Sequence, residues 1–152
     1  FVYIKSDEII KHKSNGKYKY DDNEILEKFS GRVFISEFIR QDILTEWRVF
    51  VHNDEVLDIK NYSGSLFNCT YIPGKWYVEK IIDNAKQLGI DLPPAYTLDF
   101  IVFRDESGGL KNALLEMHDI FSCGLYGFSN YNKYPFMLWQ WHRWFLRKNN
   151  LV

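Results

Sequence analysis

Between Glu46 and Tyr62 the chain reads EWRVFVHNDEVLDIKNY, two stretches of alternating apolar and polar residues joined at Asn53, Asp54 and Glu55. That alternation around turn-forming residues predicts an antiparallel hairpin. Trp47, Val49 and Val51 alternate on the first arm and Leu57 and Ile59 on the second, so all of them are expected on one buried face. A three-residue turn at Asn53-Asp54-Glu55 sets Val51 across from Leu57 and Val49 across from Ile59. On the other face the same register puts Arg48 directly opposite Lys60. Two cations whose Cβ atoms are roughly 5 Å apart repel. Either both turn into water or an anion sits between them.

A second hairpin follows Pro93-Pro94, with arms Tyr96 to Phe103 and Leu110 to Met117 and a turn at Glu106-Ser107-Gly108-Gly109. With the turn centred between Ser107 and Gly108, Asp99 faces Glu116. Leu98, Phe100, Leu114 and Leu115 surround the pair with apolar sequence, which speaks against a freely solvated acidic edge. Two carboxylates face to face destabilise a sheet unless a proton or a divalent cation lies between them. Mg²⁺ is suited to such a pair, since it takes one or two protein carboxylates and completes its shell with water and substrate phosphate.

The remaining elements are coarser. Phe1 to Lys5 reads as a strand. Ser6 to Asp22, with Lys11, Lys13, Lys17 and Lys19 around Asn15-Gly16, reads as a basic loop. A short helix capped by Asn23 is expected to Phe29, and a buried strand from Arg32 to Ile39. Ser63 to Gly74 is loop-like; Lys75 to Leu88 has the stripe Val78, Ile81, Ile82, Ala85, Leu88 of a helix that Gly89 stops. Ser122 to Asn132 is a loop whose Gly124 and Gly127 permit tight turns or close approach to a ligand. Tyr134 to Val152 predicts a C-terminal helix with Trp139, Trp141 and Trp144 packed on the sheet. The sum is an α+β fold of antiparallel sheets with flanking helices, one domain over residues 1–152.

Composition excludes several function classes. A net charge of -1 gives no general electrostatic grip on nucleic acid, so phosphate binding has to come from placed residues. Cys69 and Cys123 are too few and too far apart for a disulfide framework or a thiolate metal site, which points to a reducing, cytoplasmic setting. No apolar run approaches the roughly 18 residues of a membrane span, and no membrane partner is expected. Cys123 has no histidine placed by sequence to activate it and reads as a small apolar group. The chain opens on Phe1 without a methionine, as a part of a longer protein would.

The ordered set Lys5, Ser36-Glu37-Phe38-Ile39, Glu46-Trp47-Arg48-Val49-Phe50-Val51, Leu98-Asp99-Phe100 and Leu115-Glu116-Met117-His118 resembles the ATP-grasp fold, in its divergent clade with an Arg-Arg-Lys signature and phage and bacterial members. Most of the resemblance lies in EWRVFVHNDEVLDIKNYS and LDFIVF…LLEMHDIFSCGLYGF. It implies ATP and Mg²⁺ as cofactors, with residues 1–40 as a nucleotide-binding lobe and 41–152 as a metal and phosphate lobe. Lys5 would meet the α- or β-phosphate, and Glu37, Phe38 and Ile39 the adenine. Arg48 and Lys60 would contact phosphates or an acyl-phosphate, and Asp99 and Glu116 the metal. His118 stands where the family usually has Asn, and it can ligate a metal although it suits Mg²⁺ less well. The signature's second arginine is Arg32, Arg40 or Arg104. The implied activity is ligation of a carboxylate to an amine; the alternative is a nucleotide-binding assembly factor for a protein partner. The N-terminal domain that commonly precedes ATP-grasp is expected to be lacking.

Overall fold

The structure, a computed structural model, describes residues 2–5, 32–35, 43–64 and 71–151. Its contacts divide the chain into two compact units, Phe1–Arg40 and Gln41–Val152. In the first, β1 (Val2–Lys5) and β2 (Arg32–Ile35) pair antiparallel, with Val2 opposite Ile35 and Lys5 opposite Arg32. The basic loop and the short helix expected between them lie outside the described residues.

The second unit is built on a four-stranded antiparallel sheet. Its strands are β3 (Ile43–His52), β4 (Glu55–Gly64), β5 (Ala95–Arg104) and β6 (Leu110–Asp119), in the order β4-β3-β5-β6. Helix α1 (Lys75–Gln87) enters between β4 and β5, and α2 (Tyr134–Lys148) follows β6. The fold is α+β.

Alternation along the two central strands creates two cores. Trp47, Val49, Val51 and Val56 meet Leu98, Phe100 and Val102 on one face, where Val78 and Ile82 of α1 pack. Phe50, Ala95 and Ile120 meet Phe128 and the α2 residues Met137 and Trp141 on the other. Phe50 stacks on Phe128 at 4.4 Å. The C-terminal ends of both helices are closed by residues in the left-handed region. After α1, Gly89 (φ 71°) lets its amide reach the Lys86 carbonyl while the Ile90 amide reaches Ala85, and Asn150 (φ 54°) closes α2 in the same way. Of the tryptophans expected on the sheet, Trp141 is buried there, whereas Trp139 remains half-exposed. The helix stops at Lys148 and not at Val152.

The first hairpin corrects the expected register in one stretch. Asn53 (φ 49°) and Asp54 (φ 65°) are both left-handed, so the turn has two residues, His52 pairs with Glu55 and Val51 pairs with Val56. Asn and Asp tolerate that conformation, and the resulting turn matches the twist of the strands. A bulge then takes up Leu57, and beyond it Phe50–Asp58, Val49–Ile59 and Arg48–Lys60 pair as expected. Val56 therefore fills the core position assigned to Leu57, and Leu57 packs beside Phe50 on the opposite face.

The second hairpin repeats the device. Its tip pairs Arg104 with Leu110, one residue tighter than expected, and a bulge at Leu115 restores the Asp99–Glu116 pairing. Replacing Phe50, fully buried and shared between sheet and loop, with Ala should cost about 3–5 kcal/mol. The urea midpoint should fall at unchanged slope.

Candidate functional site

Cross-strand partners in an antiparallel sheet point to the same face. Lys60 pairs with Arg48, Arg48 with Asp99 and Asp99 with Glu116, so the register lays one row of charge across all four strands. Bases occupy the β4–β3 half and acids the β5–β6 half. The row lies on the face that also carries Phe50, beyond the reach of the apolar packing under α2.

At its centre Arg48 donates from Nε to Asp99 Oδ1 at 2.8 Å and from Nη2 to Oδ2 at 2.7 Å. Asp99 is 1% exposed and Arg48 6%. The hydrogen bonds to Asp99 hold the guanidinium's pKa above its ordinary value against the opposing effect of burial. Tyr62 and Tyr126, 5.2 Å from each other, both pack against the cation with ring centroids 5.1 and 5.3 Å from Cζ. The Tyr62 hydroxyl is raised above its usual range by burial and by its hydrogen bond to Glu46. Arg48 Nη1 reaches toward the Gly124 carbonyl at 3.4 Å. Lys60 has its own partners, Asp58 Oδ2 at 3.2 Å and the Ser129 hydroxyl at 2.8 Å. Each member of the basic pair is thus compensated by a carboxylate of the protein, which relieves the repulsion expected between them.

The acidic half corrects the sequence reading in one respect. Leu98, Phe100 and Leu114 lie in the opposite core, because residues adjacent along a strand alternate sides. Asp99, on a central strand, is buried all the same, but the Glu116 side chain, on the edge strand, is 51% exposed. His118 bridges them, with Nε2 2.8 Å from Glu116 Oε1 and 3.5 Å from Asp99 Oδ2. One ligand atom each from Asp99, Glu116 and His118 lies within 4.8 Å of the others. Ligands of one octahedral ion at about 2.1 Å are separated by about 3 Å when adjacent and about 4.2 Å when opposite, so a divalent cation fits this trio with a small closure. Both Asp99 oxygens already accept from Arg48, yet a carboxylate oxygen has a second lone pair to give. The next pair on this face is Thr97 opposite His118. The Thr97 hydroxyl is fully buried and faces the Cys123 thiol, where its hydrogen bond partly offsets the effect of burial on that thiol.

Of the other candidates, Lys5 falls at the end of β1, and Glu37, Phe38 and Ile39 lie outside the described residues, as does Arg40. Arg32 pairs with Lys5; Arg104 sits at the hairpin tip and donates to the Gly108 carbonyl. Burial pushes the Cys123 thiol up, the reverse of an activated nucleophile. Sequence reasoning missed Tyr62, Tyr126, Asp58 and Ser129. Asp58 and Tyr62 carried a signal, since each lies two residues from Lys60 on the same strand and so is expected on its face. A separate groove of about 800 Å³, between the β3–β4 turn and α2, is lined by Pro93, Trp139, Arg143 and Trp144 and contains none of the row. No helix among the described residues is long and apolar enough to cross a membrane.

The second unit thus carries, on one face of its sheet, a row of facing acids and bases around a buried Arg–Asp pair. The family model for ATP-grasp domains of the Arg-Arg-Lys clade, the second family of that clade, matches residues 3–135, and the chain belongs to that family. Membership implies ATP binding and use of a divalent metal. Comparison with the curated proteins and with the solved structures gives no significant match.

Two outcomes follow from the geometry. Asp99→Asn strands a buried guanidinium and should cost about 3–5 kcal/mol, whereas the double replacement Arg48→Met, Asp99→Leu should regain most of it in denaturant titration. The second concerns Asp58, which burial would raise but which the Ser129 amide and hydroxyl and Lys60 together lower below the ordinary 3.8. The ionised form is favoured in the folded state, so this anchor is complete above the ordinary value and lost as pH falls through the lower folded one. Protection of the Ser129 amide, which donates to Asp58 Oδ2 at 2.7 Å, should hold in hydrogen exchange from neutral pH down past 3.8 and vanish only below it.

Proposed function

We propose that the chain binds ATP with Mg²⁺ or a related divalent cation across the charged row and ligates a carboxylate to an amine. The observation that carries this reading is the segregation along the row: Lys60 and Arg48 on one half, Asp99 and Glu116 on the other, in register on one face. Family membership supports the nucleotide.

In this reading Asp99, Glu116 and His118 hold the cation, which when bound neutralises charge on the transferred phosphoryl group. Arg48 and Lys60 hold phosphate oxygens, and Lys5 and Glu37 to Ile39 serve the α- or β-phosphate and adenine. Residues 1–40 are the nucleotide lobe and 41–152 the metal and phosphate lobe. A substrate carboxylate oxygen attacks the γ-phosphorus and ADP leaves. The amine nitrogen then attacks the acyl carbon, and phosphate leaves with its electron pair. Little covalent chemistry falls to the protein, whose contribution is positioning and electrostatics.

Tyr62 and Tyr126, packed on each other and both against Arg48, keep the guanidinium oriented at the row, and the Asp58–Ser129 anchor ties the loop carrying Tyr126 to β4. A non-catalytic assembly factor is the second reading. It is favoured by the exposure of Phe136 and Trp139, stacked on each other at 5.5 Å on α2, a surface suited to a protein partner.

Isothermal titration with Mg-ATP tests the first reading. Glu116→Gln and Lys60→Ala, both away from the buried core, should each weaken binding about tenfold or more, or about 1.4 kcal/mol. Unchanged affinity in both would remove the row from nucleotide binding. Phosphate release that rises when carboxylate and amine acceptors are supplied favours the ligase, and stoichiometric binding of ATP without release favours the assembly factor.

A further inference from the structure

The third donor of the acidic cluster is a nitrogen. A cluster built for Mg²⁺ alone has no use for one, because Mg²⁺ is a hard cation that takes oxygen ligands and gives up its water reluctantly. Imidazole nitrogen is a borderline donor that first-row transition cations accept far more readily. Here His118 is no bystander: its Nε2 lies close to both carboxylates, 2.8 Å from Glu116 Oε1 and 3.5 Å from Asp99 Oδ2. Register fixes it there, since Glu116 and His118 are two residues apart on β6 and therefore on one face, opposite Asp99 and Thr97.

We infer that His118 makes this a mixed nitrogen and oxygen centre that selects Mn²⁺ over Mg²⁺. Mn²⁺ shares the octahedral habit and carboxylate preference of Mg²⁺ and, as a first-row transition cation, accepts a nitrogen donor more readily than Mg²⁺ does. The two carboxylates supply charge, and the imidazole supplies discrimination. For Nε2 to ligate, the ring carries its hydrogen on Nδ1, which leaves the Nε2 lone pair facing the carboxylates. This inference rests on the proposed metal role of Asp99 and Glu116, and it goes further by naming the ion and the residue that chooses it.

The competing chemistry is a protonated His118 that neutralises the two carboxylates itself and excludes any cation. Titration of the whole protein with Mn²⁺, followed by electron paramagnetic resonance and competed with Mg²⁺, separates the possibilities. Nitrogen modulation of the bound Mn²⁺ signal is expected in the parent protein and should be lost in His118→Asn. The ratio of the Mg²⁺ to the Mn²⁺ dissociation constant should fall about tenfold or more in that variant. His118 is partly exposed on an edge strand and Asn keeps an oxygen donor there, so an unchanged thermal midpoint serves as the folding control. Bound Mn²⁺ without nitrogen modulation, and with the same ratio in His118→Asn, overturns the selectivity while leaving the carboxylate site intact. Failure of both ions to bind, or binding indifferent to Glu116→Gln, overturns the metal site itself along with the selectivity.

Discussion

The bidentate pair between Arg48 and Asp99 organises the second unit. It joins the two central strands at their middle, at 2.7 and 2.8 Å, where side chains are almost fully shielded. Either ion left alone there would cost about 3–5 kcal/mol, a large share of a small domain's stability. Together they are tolerated, and everything charged nearby is placed by reference to them. Lys60 and Glu116 are the register partners on either side. Tyr62 and Tyr126, in contact with each other, both lie against the guanidinium, and His118 meets the carboxylate from the open edge.

The pairing is legible in the sequence because it follows from alternation, which survives errors in the turns. Each hairpin is one residue tighter at its tip than the sequence suggests. In each a bulge, at Leu57 and at Leu115, returns that residue before the charged row is reached. Bulges are compatible with a register pinned on both sides by burial: slipping by one residue would bring Val49 out of its core and drive Lys60 into it. The facing of the row is what burial holds constant, not the length of the turn. What the turn chemistry misled about was local, the exchange of Leu57 for Val56 in the core.

The shell around the row was less legible for a physical reason. Tyr62 and Tyr126 are far apart in the chain, and their meeting at 5.2 Å depends on how the loop after β6 folds back over β4. That return is set by tertiary contacts, the Phe50–Phe128 stack and the Asp58–Ser129 hydrogen bond. No periodicity encodes them. Apolar sequence next to Asp99 and Glu116 also misled, since flanking residues alternate to the other face and say nothing about the cover on the charged one. Burial of Asp99 comes from its position on a central strand, and exposure of Glu116 from its place at the edge.

Position in the sheet also gives the row a direction of response. Asp99 holds both of its oxygens against Arg48 and still faces His118 and Glu116 across the edge. A cation drawn to that edge competes with the guanidinium for the same carboxylate charge, and in a buried setting this competition is weakly screened. Under the proposed reading, a cation sharing the Asp99 charge would weaken the carboxylate's hold on the Arg48 N–H groups. Lys60, only partly buried and shared with Asp58 and Ser129, is already the more loosely held of the two bases.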